Sequence, residues 1–273
     1  MSGDFEWGKV DSAARPFRVA LILENGWRGD YVELRALLER LAPNLVALTP
    51  VSPLPGRSSF ESNLKKHWRC VPFGTLAKLT WLLARQALDG GGDDITSLAR
   101  SHPELRSKML VAKSINDPDY LSELRARDPD VIVSYGCPQI FKKPLLALPR
   151  RCCINLHPGE LPRFRGPSPL FYALLDGEAQ ITVTIHVMEP GIDDGLVIGT
   201  RVLPIDPASE TLWNLGTRRV PAVALPLLES VLAGIARGDF KLDGHSPQGA
   251  GTYRSWPSAD EIRQFFARGR HLI

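Results

Sequence analysis

The amino-acid sequence predicts an α/β protein whose sheet is mostly parallel and covered by helices. Two short apolar, β-rich runs open the chain, FRVALIL at Phe17–Leu23 and NLVALTPV at Asn44–Val51. Between them, Asp30 and Glu33 have the spacing of a helix cap, and an apolar helical pattern follows at Leu34–Leu41. A strand, helix, strand order favours parallel strands joined by crossover helices.

The later elements continue this architecture. The predicted strands are Val131–Gly136, Cys152–His157, Ile181–Met188 and Leu196–Ile205. Helices are predicted at Thr75–Leu88 and Pro167–Gly177, and two more around Pro221. A further helix begins at Asn116 or Asp117, ahead of Pro118, and the last helix begins at the capping box Ser258-x-x-Glu261. We therefore expect a Rossmann-like catalytic domain over residues 17–205, with an insertion at about 52–112. A loose leader at 1–16 precedes it, and a small helical C-terminal appendage at 206–273 follows.

Composition excludes several classes of protein. The chain has 273 residues, 44% hydrophobic and 23% charged, which is an ordinary globular mixture. Its net charge of +3 is too small to indicate a nucleic-acid partner. No apolar run reaches the roughly 18 residues of a membrane span, and the leader has no signal-peptide core. The four cysteines form no C-x-x-C pair, so we expect no zinc or disulfide framework and a cytoplasmic location.

Polar residues at strand ends are the candidate site. Asn155 and His157 close the strand CCINLH, and side-chain alternation along a strand places both on one face. His186 lies in ITVTIHVM, and Asp193 follows in the next loop. Because ligands of open α/β sheets bind at the carboxyl ends of the strands, an amide, imidazoles and a carboxylate are expected to meet there.

This set of groups suits acyl or formyl transfer. An amide NH₂ can donate to a developing oxyanion, a histidine can carry a proton near neutral pH, and a carboxylate can orient that histidine. No Ser, Cys or Lys stands in an activating motif, so direct attack by the substrate is favoured over a covalent enzyme intermediate. The residues alone leave two alternatives: His157 and His186 as core histidines beside a turn aspartate, or a metal site formed by His157, His186 and Asp193.

Longer motifs carry a family resemblance. Residues Asn155–Gly166, NLHPGELPRFRG, are similar to the pattern N-x-H-P-S-x-L-P-x-x-R-G; Thr184-Ile185-His186 fits T-x-H, and Asp193-Asp194-Gly195 fits D-x-G. From about Ser114 to Ile205 the chain resembles the formyltransferases that use 10-formyltetrahydrofolate. Within that resemblance, the stretch Gly136–Phe141 matches the segment whose backbone holds the pterin, and the D-x-G motif selects Asp193 over Asp194.

The resemblance implies a role for each of these residues. Asn155 would hydrogen-bond the formyl oxygen and stabilise a tetrahedral intermediate. His157 would serve as oxyanion partner and proton carrier, Asp193 would orient His157 and a water, and His186 would support them. Six residues would line the folate pocket: Gln139, Ile140, Phe141, Met188, Gly191 and Ile192. For Ile140 and Phe141 a plain core position is an equal alternative.

The resemblance also bears on the acceptor. Gly159-Glu160 stand where the family commonly has Ser-Leu, and the loop ENGWRGD after the first strand lacks the glycine-rich phosphate loop of the glycinamide ribonucleotide enzyme. The short stretch after Ile205 leads us to expect no tRNA-binding β-barrel. The expected acceptor is a small-molecule amine or hydroxylamine, either a nucleotide-linked amino sugar or an N-hydroxyornithine-type precursor. We expect no nucleic-acid or membrane partner and leave a homodimer possible. The alternatives are a formyltetrahydrofolate hydrolase and a non-catalytic folate-binding protein.

Overall fold

A computed structural model describes residues 15–25, 32–54, 60–88, 95–242 and 249–273. Within them, one six-stranded sheet has the order β2-β1-β3-β4-β5-β6. Its strands are β1 Val19–Glu24, β2 Leu45–Val51, β3 Val131–Tyr135, β4 Cys152–His157, β5 Gln180–Val187 and β6 Val197–Pro204. β1 to β4 are parallel, whereas β5 runs antiparallel to β4 and β6 antiparallel to β5. The predicted mostly parallel α/β fold is confirmed.

Helices surround this sheet. They are α1 Val32–Leu41, α2 Phe60–Lys66, α3 Phe73–Leu88, α4 Ile95–Ser101, α5 Pro103–Arg106, α6 Pro118–Ala126, α7 Lys143–Leu146, α8 Pro169–Asp176, α9 Leu212–Asn214, α10 Val220–Arg237 and α11 Ala259–Ala267. The side chain of Asp117 accepts from the Asp119 N–H, so Asp117 rather than Asn116 caps α6. Ser258 and Glu261 form the predicted capping box of α11. The predicted cap at Asp30 lies outside the described residues.

The prediction of two helices around Pro221 was wrong. Residues Leu212–Arg237 form a single helix of 26 residues, in which a π-helical turn at Leu215–Arg219 joins α9 to α10. Pro221 comes just after the π-helical turn, so its missing N–H lies where the α-helical hydrogen-bond pattern is already interrupted. The helix is long and apolar enough to cross a membrane, but it packs on β5, β6 and α1 and most of its apolar stretch is buried. It is therefore a core helix.

The C-terminal helices share the main core. Leu215, Leu228 and Ile235 of the long helix belong to the same apolar cluster as the buried faces of the strands. In α11, the ring of Phe265 stacks on Phe171 of α8 with centroids 4.7 Å apart. Segment 52–112 also contributes to this core, through Val71, Ile95, Leu98 and Leu105. Both parts of the chain thus cover the sheet that carries the candidate site.

Candidate active site

The carboxyl end of β4 places two polar side chains on one face. Asn155 is half-buried and His157 is buried, and the residue between them, Leu156, packs in the core instead. The alternation follows from the two-residue period of a strand. β4 is also the strand at which the sheet changes from parallel to antiparallel pairing. The two residues therefore sit at the edge where a ligand crevice is expected.

His186 fixes the amide of Asn155. The two residues are direct partners in the β4–β5 register, and Asn155 Nδ2 lies 3.2 Å from His186 Nε2. His186 Nδ1 is 2.9 Å from the Val187 carbonyl oxygen, which can only accept, so Nδ1 carries the proton and Nε2 accepts from the amide. Asn155 Nδ2 is also 3.4 Å from Asp193 Oδ1. These long contacts leave the amide able to exchange a partner for a substrate oxygen.

The ring of His157 is held between a carbonyl and a carboxylate. Its Nε2 is 2.7 Å from the Phe164 carbonyl oxygen, so Nε2 carries a proton. Its Nδ1 faces Asp193 Oδ2 at 3.7 Å. Burial lowers the pKa of His157 below its ordinary value, and Asp193 and the Phe164 carbonyl oppose that shift. A neutral His157 thus has its free lone pair on Nδ1, directed at the carboxylate side.

Asp193 is the centre of the cluster. Its Oδ2 accepts from the Gly166 N–H at 2.9 Å, and its Oδ1 is 3.6 Å from His186 Nε2. Burial by itself would raise the pKa of Asp193, but His157, His186 and the Gly166 N–H outweigh burial and hold that pKa at about 2. Asp193 adopts a positive φ of 50°, a conformation that aspartate tolerates better than most residues. The carboxylate is therefore ionised near neutral pH.

Thr184 and Gly159, which are not among the predicted site residues, hold the loop after β4. The hydroxyl of Thr184 donates to the Gly159 carbonyl oxygen at 2.7 Å. A Cβ on Gly159 would lie 2.9 Å from His157 Nε2 and 2.8 Å from the Pro169 Cβ, so the His157 ring position requires glycine here. The T-x-H spacing and the departure from Ser-Leu at Gly159-Glu160 were the sequence signals for these roles.

The residues predicted to line a folate pocket fall into two groups. Ile140 and Ile192 expose 58% and 48% of their surface, and Gly191 is also exposed. Phe141, in contrast, is buried in an apolar cluster against which Met188 packs. Phe141 and Met188 are thus part of the apolar packing of the fold, whereas Ile140 and Ile192 are open to solvent.

Gln139 has a structural role for its side chain. The buried amide accepts from the Ile115 N–H at 3.0 Å and donates to the carbonyl oxygens of Ser52 at 2.9 Å and Lys113 at 3.1 Å. Only the backbone of Gln139 is left for a ligand. Asn116 similarly fixes the next turn, through its bonds to the Ile140 carbonyl oxygen and the Lys142 N–H.

Among the described residues, no group of three His, Cys, Asp or Glu side chains has an arrangement that could hold a metal ion. The cluster is formed by an amide, two imidazoles and a carboxylate that lie within hydrogen-bonding or ion-pair distance of one another.

A sheet of this topology with such a cluster beyond β4 defines a formyltransferase-type catalytic domain. Residues 93–223, just under half of the chain, match the family model described as formyl transferase. The match contains Asn155, His157, His186 and Asp193. It begins ahead of α6 and ends inside the long C-terminal helix.

Curated relatives include methionyl-tRNA formyltransferases. The one from Roseiflexus castenholzii is 35% identical over 132 residues, which are 48% of this chain and 41% of the relative. The one from Ehrlichia ruminantium strain Welgevonden is 41% identical over 110 residues, 38% of this chain and 35% of the relative. The chain thus spans less than half the length of the curated relatives it matches.

Solved structures match over more of the chain. A sugar N-formyltransferase from a Shewanella species has a TM-score of 0.58 at 16% identity, over 92% of this chain and 87% of that one. Glycinamide ribonucleotide transformylase 1 from Geobacillus kaustophilus has a TM-score of 0.52 at 22% identity, over 80% of this chain and 98% of that one. At these identities the likeness establishes the formyltransferase fold.

Proposed function

We propose that this chain is a soluble, cytoplasmic enzyme that transfers the formyl group of 10-formyltetrahydrofolate to the primary amine of a small metabolite, a nucleotide-linked amino sugar being the favoured acceptor class. One observation carries the proposal: Asn155, His157 and Asp193 lie in a single cluster at the end of β4, with Asn155 Nδ2 3.4 Å and His157 Nδ1 3.7 Å from the two oxygens of Asp193. An amide donor, a proton carrier and a carboxylate are what direct formyl transfer requires.

Asn155 would stabilise the charge that develops on the formyl oxygen. The attacking amine nitrogen forms a bond to the formyl carbon, and the oxygen of that carbonyl becomes negative. A half-buried amide N–H that is already oriented by His186 can donate to this oxygen with little reorganisation. One of the two long contacts of Asn155 Nδ2 would then be replaced by the substrate oxygen.

His157 and Asp193 would move the proton. The amine loses a proton as its new bond forms, and the folate nitrogen gains one as its bond to the formyl carbon breaks. Nδ1 of His157 is the site for this proton, because Nε2 is held on the Phe164 carbonyl oxygen. Asp193, ionised because its pKa is about 2, would stabilise the protonated ring across the 3.7 Å separation. Proton transfer to the folate nitrogen would go through Asp193 and a water.

The folate would rest against the exposed side of this edge. Ile140 and Ile192 supply apolar surface to a flat ring, and the backbone of residues 136–142 supplies polar groups. Support for an amino-sugar acceptor is the likeness in fold to a sugar N-formyltransferase over almost the whole of both chains. An N-hydroxyornithine-type amine is the second acceptor to test.

The test is tetrahydrofolate release from 10-formyltetrahydrofolate, measured by absorbance with a panel of amines. The panel contains nucleotide-linked amino sugars, amino acids, N-hydroxyornithine and glycinamide ribonucleotide. Release that depends on an amino sugar, together with its N-formyl product, is the expected result. Release without amine, with formate as product, would replace the proposal with a hydrolase. Folate binding without release for any amine would replace it with a binding protein.

A further inference from the structure

We propose that residues 249–255, the C-terminal strap, are a positioning element for the site: the strap holds loop 162–166 in the place from which the Gly166 N–H reaches Asp193. The proposal deepens the proposed function and rests on it for the reaction, although the geometry it predicts can be measured without turnover. The strap lies almost 60 residues beyond Asp193 in sequence, and no predicted site residue belongs to it.

The strap and the loop pair through their backbones. The Thr252 N–H donates to the Pro162 carbonyl oxygen at 3.2 Å, and the Arg165 N–H donates to the Thr252 carbonyl oxygen at the same distance. The Arg254 N–H donates to the Arg165 carbonyl oxygen at 2.9 Å. Arg165 and Tyr253 form a parallel β-bridge. The loop is therefore held along its length as if by an added strand.

Two glycines allow this close approach. A Cβ on Gly251 would lie 2.3 Å from the Pro162 carbonyl oxygen. A Cβ on Gly166 would lie 2.0 Å from the Arg254 carbonyl oxygen, and Gly166 has a φ of +111° that favours glycine. A side chain at either position would push the strap and the loop apart.

The loop transmits this constraint to the site through two residues. The Gly166 N–H donates to Asp193 Oδ2 at 2.9 Å, the same oxygen that faces His157 Nδ1. The Phe164 carbonyl oxygen accepts from His157 Nε2 at 2.7 Å. The guanidinium of Arg165 also binds Asp194 Oδ1 at 2.5 Å, which ties the loop to the segment that carries Asp193. Both nitrogens of His157 therefore face groups whose position depends on loop 162–166.

The strap is itself anchored on α8. Arg254 forms an ion pair with Asp176 at 2.8 Å, and its guanidinium lies 4.7 Å from the ring centroid of Tyr172. The hydroxyl of Tyr172 donates to the Ser255 carbonyl oxygen at 3.0 Å. These contacts fix the strap independently of the loop, so the strap can act as a support.

The positioning role has a measurable consequence at His157. Asp193 and the Phe164 carbonyl both raise the pKa of His157 against the larger effect of burial. If the strap is displaced, the Phe164 carbonyl oxygen and the Gly166 N–H leave their places at His157 and Asp193, and both the burial and the hydrogen bonding that set the pKa of His157 change. A strap that only stabilised the fold would leave this pKa unchanged in the folded protein.

The test is the Gly251→Ala variant, with Gly74→Ala in α3 as matched control because a Cβ there meets nothing within 4 Å. The pH at which the His157 ring is half protonated, its midpoint, is measured by NMR of the ring nitrogens across a pH series. The kinetic constants kcat and KM are measured by tetrahydrofolate release. We expect Gly251→Ala to shift the pH midpoint of His157 protonation away from its wild-type value and to reduce kcat at least tenfold, with KM for folate changed less than threefold. We expect Gly74→Ala to match the wild type in all three. A displacement of about 1 Å at a catalytic group can cost on the order of 10²-fold in rate.

A second variant covers the case in which Gly251→Ala does not fold. Arg254→Gln removes the anchor on Asp176 without adding atoms, and it should shift the pH midpoint of His157 protonation in the same direction as Gly251→Ala does. If Gly251→Ala and Arg254→Gln fold and the His157 midpoint is unchanged in both, the positioning role is wrong, even where kcat or thermal stability falls. If the wild-type protein forms no N-formyl product, the proposed function is wrong. The positioning role of the strap can still be judged in that case, because the His157 midpoint is measured without turnover.

Discussion

Asn155 and His186 lie directly opposite each other on β4 and β5, and the amide nitrogen of Asn155 donates to His186 Nε2 at 3.2 Å. The proton on His186 Nδ1, bound to the Val187 carbonyl oxygen, leaves Nε2 as the acceptor. The histidine thus sets the direction of the amide. We therefore propose that His186 is a positioning residue that acts through Asn155.

Removing the amide should affect the rate far more than folding. We expect Asn155→Ala to lower kcat by roughly 10²–10³, the usual effect of losing one oxyanion donor. The measurement is amine-dependent tetrahydrofolate release. Asn214→Ala, which loses a side-chain bond to Glu210, is the control and should stay within about twofold of wild type. Wild-type kcat in Asn155→Ala would remove Asn155 from the mechanism.

The positioning role of His186 can be separated from its packing. We expect His186→Leu to lower kcat about tenfold, because one amide hydrogen bond worth about 1 kcal/mol or more is lost. His186→Gln should recover part of that loss, since its carbonyl oxygen can accept from Asn155. KM for folate should stay close to wild type in both. Equal kcat in the two variants would argue against orientation of Asn155 by this residue.

The carboxylate of Asp193 should control the pH dependence. It raises the pKa of His157, so Asp193→Asn should move the acid limb of kcat/KM to lower pH and reduce the plateau by about 10²-fold or more. Asp239→Asn, which removes an exposed carboxylate paired with Arg237, should change neither. An acid limb that stays in place in Asp193→Asn would mean that the limb reports on another group.

The same carboxylate should make stability depend on pH. The pKa of Asp193 is about 2 in the folded protein against an ordinary 3.8. A depressed carboxyl pKa stabilises the fold above the unfolded value, and that contribution is lost as pH falls from about 4 to about 2. In urea unfolding at pH 4, 3 and 2, the free energy of unfolding should therefore fall less steeply in Asp193→Asn than in wild type.

Gly159 should be intolerant of a methyl group. In Gly159→Ala the new Cβ would meet His157 Nε2 at 2.9 Å and the Pro169 Cβ at 2.8 Å, so the ring or the loop must shift. We expect kcat to fall roughly tenfold or more and the free energy of unfolding to fall by about 1–3 kcal/mol. Gly74→Ala is the matched control. A fully active Gly159→Ala would show that the ring position seen here is not needed for turnover.

The last helix should prove integral to the fold. Phe265 is fully buried and stacked on Phe171, so Phe265→Ala should reduce the free energy of unfolding by about 3–5 kcal/mol. Phe73→Ala removes the same ring from a position that is 84% exposed. It should change the free energy of unfolding by about 0.5 kcal/mol or less. If urea unfolding shows the same loss of free energy for Phe265→Ala and Phe73→Ala, α11 does not stabilise the sheet.

Most elements of the fold could be predicted from local sequence. Apolar runs such as CCINLH and caps such as Ser258 with Glu261 act over a few residues, and the structure confirms them. The long helix through Pro221 was not predicted, because a proline in sequence normally indicates a break. Packing of its buried residues on β5 and β6 decides that the helix continues through a π-helical turn.

The sequence by itself determined which residues could form the site. Strand alternation places Asn155 and His157 on one face, and the ordered motifs select His186 and Asp193. Only the tertiary structure decided how these groups bind each other: the antiparallel register that sets His186 opposite Asn155, and the Phe164 carbonyl and Gly166 N–H that hold His157 and Asp193. The physical reason is that residue type and spacing act locally. A strand register, and a backbone group held by a distant strap, depend on contacts between segments far apart in the chain.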